Sequence, residues 1–415
     1  MVLPAIRDTV RSLLLRIILL ISAWPCCMTG MAQVATPILV RGDSSLKVFI
    51  GGSLRTLVSY SPKRTLPGHA TNYILLPKDP TGAESTFDLT ARASTLYLTA
   101  EGPKVRGFTL GGKVVMYLTK DISSPAYGIL PAMLLMEARN EKWRFAAGQQ
   151  VDVFAPRIPG FIDGFFALAA SGCAGNSSRG QLRAERYARI GGKGKLTLTA
   201  AASQPVSTYF SSDLRNNTSN KGVPNLEWAV NYTVRGQEDS WVPWEVFEVG
   251  GSGVLGTYRV FRNDTVNGVI ANVGINTPKV RGYAADIAVR LGKRFGIQAE
   301  GYTGQALGNY LGGILQTTKG PSDREVRSTG WWVEAACYWR KDLHSRFGYG
   351  QDVCRKEDLL GAGILQNTTY FGNITLEADR RLSLGLELTY KETLYLPTGR
   401  DAQGMTYMGM VEFSF

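Results

Sequence analysis

The chain has 415 residues and a formal net charge of +12 at pH 7, with 47 glycines, 18 tyrosines, 16 phenylalanines and 8 tryptophans. Its mean hydropathy is near zero, and no run of about 18 apolar residues follows the first 32 residues, so the sequence offers no transmembrane helix. This composition disfavours a helical bundle and suits strands on which lipid-facing and water-facing residues alternate. The basic charge suits acidic ligands or an anionic membrane surface better than nucleic acid.

The first 32 residues have the pattern of a secretory signal peptide. Three arginines precede the apolar segment 17–21, and a small-residue cleavage site ends at Ala32. We therefore predict a signal peptide over 1–32, a short leader over 33–45 and a transmembrane β-barrel over 46–415. Cleavage removes three Arg and one Asp, which lowers the formal charge from +12 to +10.

Segments of alternating polar and apolar residues recur along the rest of the chain. They include 47–60, 113–119, 226–235, 331–340, 374–379 and 382–391. Side chains on a strand point alternately to its two faces, so each segment predicts one apolar face and one polar face. Counting such segments predicts an all-β, antiparallel transmembrane barrel of about 16 strands, each roughly 9–14 residues long.

Short turns alternate with long connections in the predicted barrel. The tight turns lie at 140–141, 191–194, 292–293 and 380–381, and the long connections at 61–86, 151–179, 204–223, 306–326 and 394–403. Outer-membrane barrels arrange periplasmic turns and external loops in this way. An exported β-propeller or sandwich, which also has many alternating strands, stays an alternative.

The chain ends on an amphipathic strand. Tyr407, Val411, Phe413 and Phe415 share one apolar face, and Phe415 is the last residue. A terminal strand of this kind is typical of bacterial outer-membrane barrels, in which it is the insertion signal for the barrel-assembly machinery. We therefore expect the protein to lie in the outer membrane, in contact with its lipid.

The connection 151–179 predicts a constriction loop. Its aromatic side chains and prolines are too apolar for a loop that moves freely in water, so we expect it to bend into the lumen and present Asp152, Arg157 and Asp163 to a solute. The alternative is an external loop packed at a contact between subunits.

Several arginines fall on the predicted inner faces, namely Arg55, Arg144, Arg183 and Arg189. A guanidinium binds carboxylate or phosphate through a fixed fork of donors, so such residues favour passage of anions. The alternative is that they pair with Glu137, Glu185 and Glu227. Arg186 points outward, which is costly at the bilayer midplane and tolerated near a headgroup or a subunit contact.

The sequence contains no pattern for a cofactor, a metal site or catalysis. It lacks a CxxC pair or a His/Cys cluster, and His69 and His344 lie in loop-like contexts without a nearby serine elbow. We therefore predict that the protein is not an enzyme. Cys337 and Cys354 either pair in an oxidising compartment or are unpaired, with Cys337 filling space on the outer face of its strand.

Four short segments carry a resemblance to a known family. Gly51-Gly52-Ser53-Leu54-Arg55, residues 91–98, residues 144–149 and residues 179–187 resemble successive motifs of the DcaP-like outer-membrane porins, in the same order. Thr95 stands where the family pattern has an arginine. By parity Arg92 lies on the face of Leu96 and Leu98, whereas the resemblance implies that Arg92 lines the pore.

The resemblance implies a homotrimer of water-filled 16-stranded barrels that pass small, often anionic solutes. Some members begin with a coiled coil, but residues 33–45 have no heptads, so a trimer here would rest on the barrel walls. We expect a porin for passive diffusion of small hydrophilic, anionic solutes. The alternative is an outer-membrane barrel that acts as a surface adhesin or an assembly scaffold without an open pore.

Overall fold

The structure is a computed structural model that describes residues 38–39, 46–65, 73–76, 84–120, 127–162, 171–205, 218–219, 222–236, 240–266, 269–319, 324–360, 363–396 and 401–415. The segment from Pro37 to Phe415 forms one compact unit. The predicted signal peptide and most of the leader lie outside the described residues, so both stay predictions.

Sixteen long strands form one sheet in which each strand pairs antiparallel with the next. They are β1 (Lys47–Ser61), β2 (Thr95–Val105), β3 (Phe108–Lys120), β4 (Tyr127–Arg139), β5 (Trp143–Val151), β6 (Ser178–Ile190), β7 (Gly194–Ser203), β8 (Asn225–Val234), β9 (Phe247–Thr257), β10 (Lys279–Leu291), β11 (Phe295–Gln305), β12 (Arg327–Arg340), β13 (Leu343–Cys354), β14 (Gly363–Glu377), β15 (Leu382–Leu396) and β16 (Asp401–Ser414).

The first and last strands close the sheet into a barrel. Tyr60 of β1 lies opposite Tyr407 of β16, and the register continues to Ser53 opposite Ser414. The backbone groups of Phe415 and Gly52 then exchange two hydrogen bonds of 3.0 Å each. Closure leaves no unpaired edge among the sixteen described strands of the barrel sheet. The predicted antiparallel barrel of about 16 strands is confirmed, and the propeller and sandwich alternatives are wrong.

The outer wall is apolar because of the two-residue alternation. On β15, Leu386 and Leu388 are exposed, whereas Glu387 between them is buried inside the barrel. The four residues of the predicted insertion signal are all exposed: Tyr407, Val411 and Phe413 on β16, and Phe415 directly after it. Tyr349, Tyr370 and Tyr390 form a row across β13, β14 and β15 with ring centroids 4.9 and 6.2 Å apart. Such an aromatic row is typical of a membrane interface.

The two ends of the barrel differ in the length of their connections. At one end, which we call the turn end, short turns such as 191–193 and 292–294 join the strands, and the chain finishes there. At the loop end, one long connection contains a hairpin of two further strands, Arg259–Val266 and Val269–Asn276, which is not among the predicted strands. By the usual arrangement of outer-membrane barrels, the turn end faces the periplasm.

Two predicted boundaries differ from the structure. The segment 91–98 is not one strand, because a turn at 91–94, with Ala93 at a φ of 67°, separates the short strand Thr86–Thr90 from β2. Both pieces pair with β1, so the turn lets the second piece continue the ladder. The connection after β15 is also shorter than predicted, because β15 extends to Leu396 and β16 begins at Asp401.

The structure distinguishes the two alternatives for the cysteines and differs from the predicted context of His344. Cys337 and Cys354 form no disulfide with each other, because Cys354 lies opposite Ser328, nine positions from Cys337 on the same strand. His344 belongs to β13 and stacks on Tyr338, so the prediction that it lies in a loop is wrong. His69 lies outside the described residues. Over the described parts of the chain, no cluster of metal-binding side chains occurs.

The described part of the chain contains no helix that is both long and apolar enough to cross a bilayer.

Candidate functional site

A loop between β5 and β6 folds into the barrel. We call its described parts, residues 152–162 and 171–177, the inner loop; residues 163–170 lie outside the described residues. Its apolar side chains are buried against the wall. The rings of Phe154 and Tyr310 meet edge to face, with their centroids 5.8 Å apart, and the ring centroids of Phe161 and Phe371 are 4.0 Å apart. The loop therefore lies inside the barrel, as predicted, because burial of its aromatic rings stabilises that position.

The inner loop is held mainly by its own backbone. Five amide groups along 152–162 donate hydrogen bonds to side chains of the inner wall: Val153 to Glu227 at 2.6 Å, Ala155 to Ser252 at 3.0 Å, Arg157 to Glu300 at 2.9 Å, Gly160 to Glu334, and Ile162 to Glu387 at 2.7 Å. These acceptors belong to β8, β9, β11, β12 and β15. On the return path, Gly172 donates to Asp352 of β13 at 2.8 Å.

Arg157 is the one charged side chain of this path that contacts two wall carboxylates. Its Nε donates to Asp286 at 2.5 Å, and a terminal nitrogen donates to Glu248 at 2.8 Å. Burial alone would lower the pKa of Arg157, but these two carboxylates outweigh it and raise the pKa above its ordinary value. Arg157 therefore stays charged and fixes the middle of the loop to β9 and β10.

The start of the loop forms a fully buried ionic cluster. The guanidinium of Arg179 lies 3.3 Å from Asp152 and 3.9 Å from Glu227, and it stacks 3.7 Å from the centre of the Tyr310 ring. Burial raises the pKa of Asp152 to about 7, although Arg179 acts in the opposite direction. Two carboxylates thus share one arginine, and the cluster holds a proton more readily than an exposed carboxylate does.

A second segment packs on the inner loop from the loop end. Residues 306–317 contain two short 3-10 helices, Gly308–Tyr310 and Gly313–Leu315, whose residues are mostly buried. The amide of Gly175 donates to the carbonyl of Tyr310 at 2.6 Å, and Tyr302 of the wall donates to Asp352 and accepts from Gly313. The described parts of the inner loop contact the inner wall on each strand from β8 to β15.

The other half of the barrel keeps an open cleft. A cleft of about 350 Å³ lies along β2 to β6. Four basic residues and two carboxylates line it: Lys113, Arg139, Arg144, Arg183, Glu101 and Glu137. Since the loop occupies the opposite wall, this excess of positive charge lies beside the space that remains for solute.

The predicted arginines of the cleft are paired with carboxylates. Arg144 donates to Glu137 and to Glu185 at 2.7 Å each. Arg183 donates to Gln181 and to the carbonyl of Val151, and it lies 3.8 Å from Glu185. The pairing with Glu137 and Glu185, which the sequence left open, is therefore present. Lys113 is exposed and has no ion pair among the described residues.

The other predicted pore residues lie apart from the cleft. Arg55 donates to Glu412 at 2.6 Å and to the carbonyl of Ile162 at 3.3 Å, so it meets the end of the inner loop. Arg92 is buried in the turn before β2. Arg189 is exposed near the turn end of β6. Asp163 lies outside the described residues.

Sequence reasoning did not identify the carboxylates that hold the inner loop. Glu300, Glu334 and Glu387 are among the buried polar residues of the wall. Each alternates with apolar neighbours on its strand, which places it inside, but nothing in the strand pattern tells a solvated wall residue from one that accepts a loop amide. Tyr310 and Arg179 were missed because the contacts between them join distant parts of the chain: Arg179 donates to the carbonyl of Asn309, 130 positions away, and stacks on the ring of Tyr310.

Comparisons with known proteins agree on the fold. No family model and no curated protein matches the chain. The outer-membrane channel DcaP of Acinetobacter baumannii superposes with a TM-score of 0.68 at 14% identity, over 91% of this chain and 99% of that chain. An anion-selective porin from Comamonas acidovorans superposes with a TM-score of 0.54 at 10% identity, over 89% of this chain and 100% of that chain. The trimer form of OmpT, an outer-membrane protein of Vibrio cholerae, superposes with a TM-score of 0.52 at 11% identity, over 89% of this chain and 100% of that chain.

The chain therefore has the fold of the outer-membrane porins, and the resemblance to DcaP-like channels is confirmed for the fold. The closed barrel and its apolar outer wall place the protein in the bacterial outer membrane.

Proposed function

We propose that the protein is a porin for passive diffusion of small hydrophilic solutes, with a preference for anions. The observation that carries the proposal is the division of the barrel: the inner loop is fixed to the wall from β8 to β15, and a cleft with four basic residues and two carboxylates stays open along β2 to β6. A 16-stranded barrel is wide enough for an aqueous lumen. Charged side chains at the narrowest point then select by charge and size.

The predicted pore residues take different roles in this proposal. Arg144 and Arg183, together with Lys113, present positive charge to the solute. Asp152 and Arg157 position the inner loop. An excess of fixed positive charge raises the local concentration of anions. The anion-selective porin from Comamonas acidovorans shows that a barrel of this fold supports such a preference.

Planar bilayers test the pore and its selectivity separately. The purified protein should give stepwise conductance, and its reversal potential in a salt gradient should show anion preference. Absence of steps favours a scaffold or adhesin without an open pore, and cation preference contradicts the anion proposal alone.

The variant Arg144→Ala sharpens the selectivity test. It removes one positive charge and leaves Glu137 and Glu185 without their shared partner, so the reversal potential should shift toward cations. Arg340→Ala is the control, because Arg340 is 57% exposed at the turn end, away from the cleft. Equal reversal potentials for the two variants would refute the role of Arg144.

The homotrimer is part of the same proposal. The trimer form of OmpT shows that a barrel of this fold assembles as three copies, and a trimer of this chain would rest on its barrel walls. Mass photometry in detergent measures the assembly directly. A particle with the mass of one chain would contradict the trimer and leave the pore proposal standing.

A further inference from the structure

The outer wall has a groove that neither the pore nor the inner loop uses. It has a volume of about 890 Å³ and crosses β3 to β8. Its floor consists of alanines at outward positions: Ala138, Ala147, Ala184, Ala200 and Ala202. Larger side chains rise on both sides, with Phe145 of β5 and Trp228 of β8 among them. The groove exists because small residues on neighbouring strands fall in register.

The register explains the shape of the groove. Phe145 lies opposite Ala184, Ala184 opposite Ala200, and Ala200 opposite Trp228. Two adjacent alanines are thus bounded by an aromatic ring on each side. One step closer to the loop end, the next pair of outward-facing residues is Leu182 of β6 and Ala202 of β7, which lie opposite each other. This pair continues the groove along the barrel axis.

A cation lies one outward row beyond the lining of the groove, toward the turn end. Arg186 lies two positions from Ala184 on β6 and points outward, opposite Trp143. Its guanidinium carbon lies 4.9 Å from the centre of the Trp143 ring, and it donates to the carbonyl of Lys142 at 3.3 Å. Trp143 stacks in turn on Phe145, with ring centroids 5.6 Å apart and an interplanar angle of 10°. No carboxylate of the described residues forms an ion pair with Arg186.

The height of Arg186 fits a headgroup region. Trp143 is the first residue of β5, directly after the turn 140–142. Tryptophan and arginine at the end of a barrel strand are typical of the membrane interface, where a polar tip meets water and an apolar body meets lipid. From Arg186 to Leu182 the strand rises roughly 13 Å, which matches a good part of an acyl chain.

We propose that this groove binds one phospholipid of the periplasmic leaflet, with its phosphate on Arg186 and an acyl chain along the alanine floor. Charge complementarity favours a lipid over a second copy of the chain. A phosphate supplies the anion that Arg186 lacks, and a guanidinium binds phosphate through two parallel hydrogen bonds. An acyl chain also fills an alanine-floored groove without a matching protein surface.

Native mass spectrometry of the full-length protein tests the proposal. Protein released from detergent doped with dimyristoylphosphatidylglycerol should retain one lipid per chain. Arg186→Ala should lower the retained fraction about tenfold, because it removes a charge-assisted hydrogen bond. Ala200→Trp, which fills the groove, should abolish retention. Lys193→Ala is the matched control, since it removes an equal charge from an exposed turn at the same end of the barrel and should retain lipid as the wild type does.

The same spectra contain the results that would overturn the proposal. Equal retention by wild type and Arg186→Ala would do so. Loss of the oligomer in Ala200→Trp would show that a second copy occupies the groove instead. Heat-modifiable migration on a gel confirms that each variant has folded as a barrel, so reduced retention cannot come from an unfolded chain.

Discussion

Replacement of Arg157 by methionine is the sharpest perturbation of the inner loop. Methionine keeps an unbranched chain of similar length but removes the guanidinium that contacts Asp286 and Glu248. The Arg157 side chain is 13% exposed and that of Asp286 is 2% exposed, so Asp286 stays buried without its cation, whereas Glu248 is 25% exposed and partly reaches water. The expected result is a loop that leaves the wall for part of the time.

The size of the effect follows from burial. Removal of one partner from a buried ion pair costs about 3–5 kcal/mol, because the remaining charge is left uncompensated. At about 1.4 kcal/mol per factor of ten, the ratio of docked to undocked loop falls by roughly two to three and a half orders of magnitude. Glu300 still accepts the amide of residue 157, so we expect partial rather than complete release.

Single-channel recording in planar bilayers measures both consequences. Arg157→Met should show more open-channel noise than the wild type at the same pH, and its reversal potential should move toward cations because Asp286 and Glu248 then face the lumen uncompensated. Arg340→Met is the matched control, since its exposed pair with Asp342 is worth only about 0–1 kcal/mol. If Arg157→Met has the same open-channel noise and the same reversal potential as the wild type, Arg157 does not hold the inner loop to the wall.

Three further predictions concern the loop and the barrel seam. Because burial raises the pKa of Asp152 from about 3.9 in an unfolded chain to about 7, the docked loop binds a proton that the free loop releases. Docking should therefore weaken as pH rises from about 4 to about 7 and not change further above that. Open-channel noise of the wild type should increase over the same pH range, whereas the noise of Asp152→Asn should not depend on pH. Wild-type noise that does not depend on pH would contradict the role of Asp152. Gly172→Ala should disturb conductance far more than Gly191→Ala. Both glycines have a positive φ, but only at Gly172 would an added Cβ meet the wall, 2.1 Å from the carbonyl oxygen of Trp331. Equal effects of the two variants in bilayer recordings would show that this close approach is unimportant. Deletion of Phe415 removes two backbone hydrogen bonds with Gly52, where the first and last strands meet, and each bond is worth about 0.5–1.5 kcal/mol. The deletion should therefore lower the temperature at which the barrel unfolds in a heat-modifiability gel. An unchanged unfolding temperature would argue that the junction of these strands does not need Phe415.

Most of the barrel could be predicted from the sequence because strand alternation is a local signal. The two-residue period on 382–391 needs only the identity of successive residues, and β15 extends past it at its loop end. The break before β2 was not predictable in this way, because the turn at 91–94 depends on pairing with β1, about 40 positions earlier. Local patterns thus locate strands but not their interruptions.

The candidate site was predicted only in part for a related reason. Parity placed Arg144 and Arg183 inside, where the structure has them, and the composition of 151–179 predicted an inward loop. Which carboxylate each arginine meets depends on the register between strands, as with Glu185 opposite Arg144. The contacts of the inner loop depend on its path across eight strands, which no local pattern encodes.

The reliance of the inner loop on backbone donors has a consequence for protein engineering. Val153, Ala155, Gly160 and Ile162 are held through amide groups that every residue except proline possesses. The exposed side chains of Pro156 and Ile158 lie between these contacts and have no part in them. New charges can therefore be introduced at position 158 while the wall keeps its hold on the loop, which makes that position a place to retune which solutes pass without rebuilding the barrel.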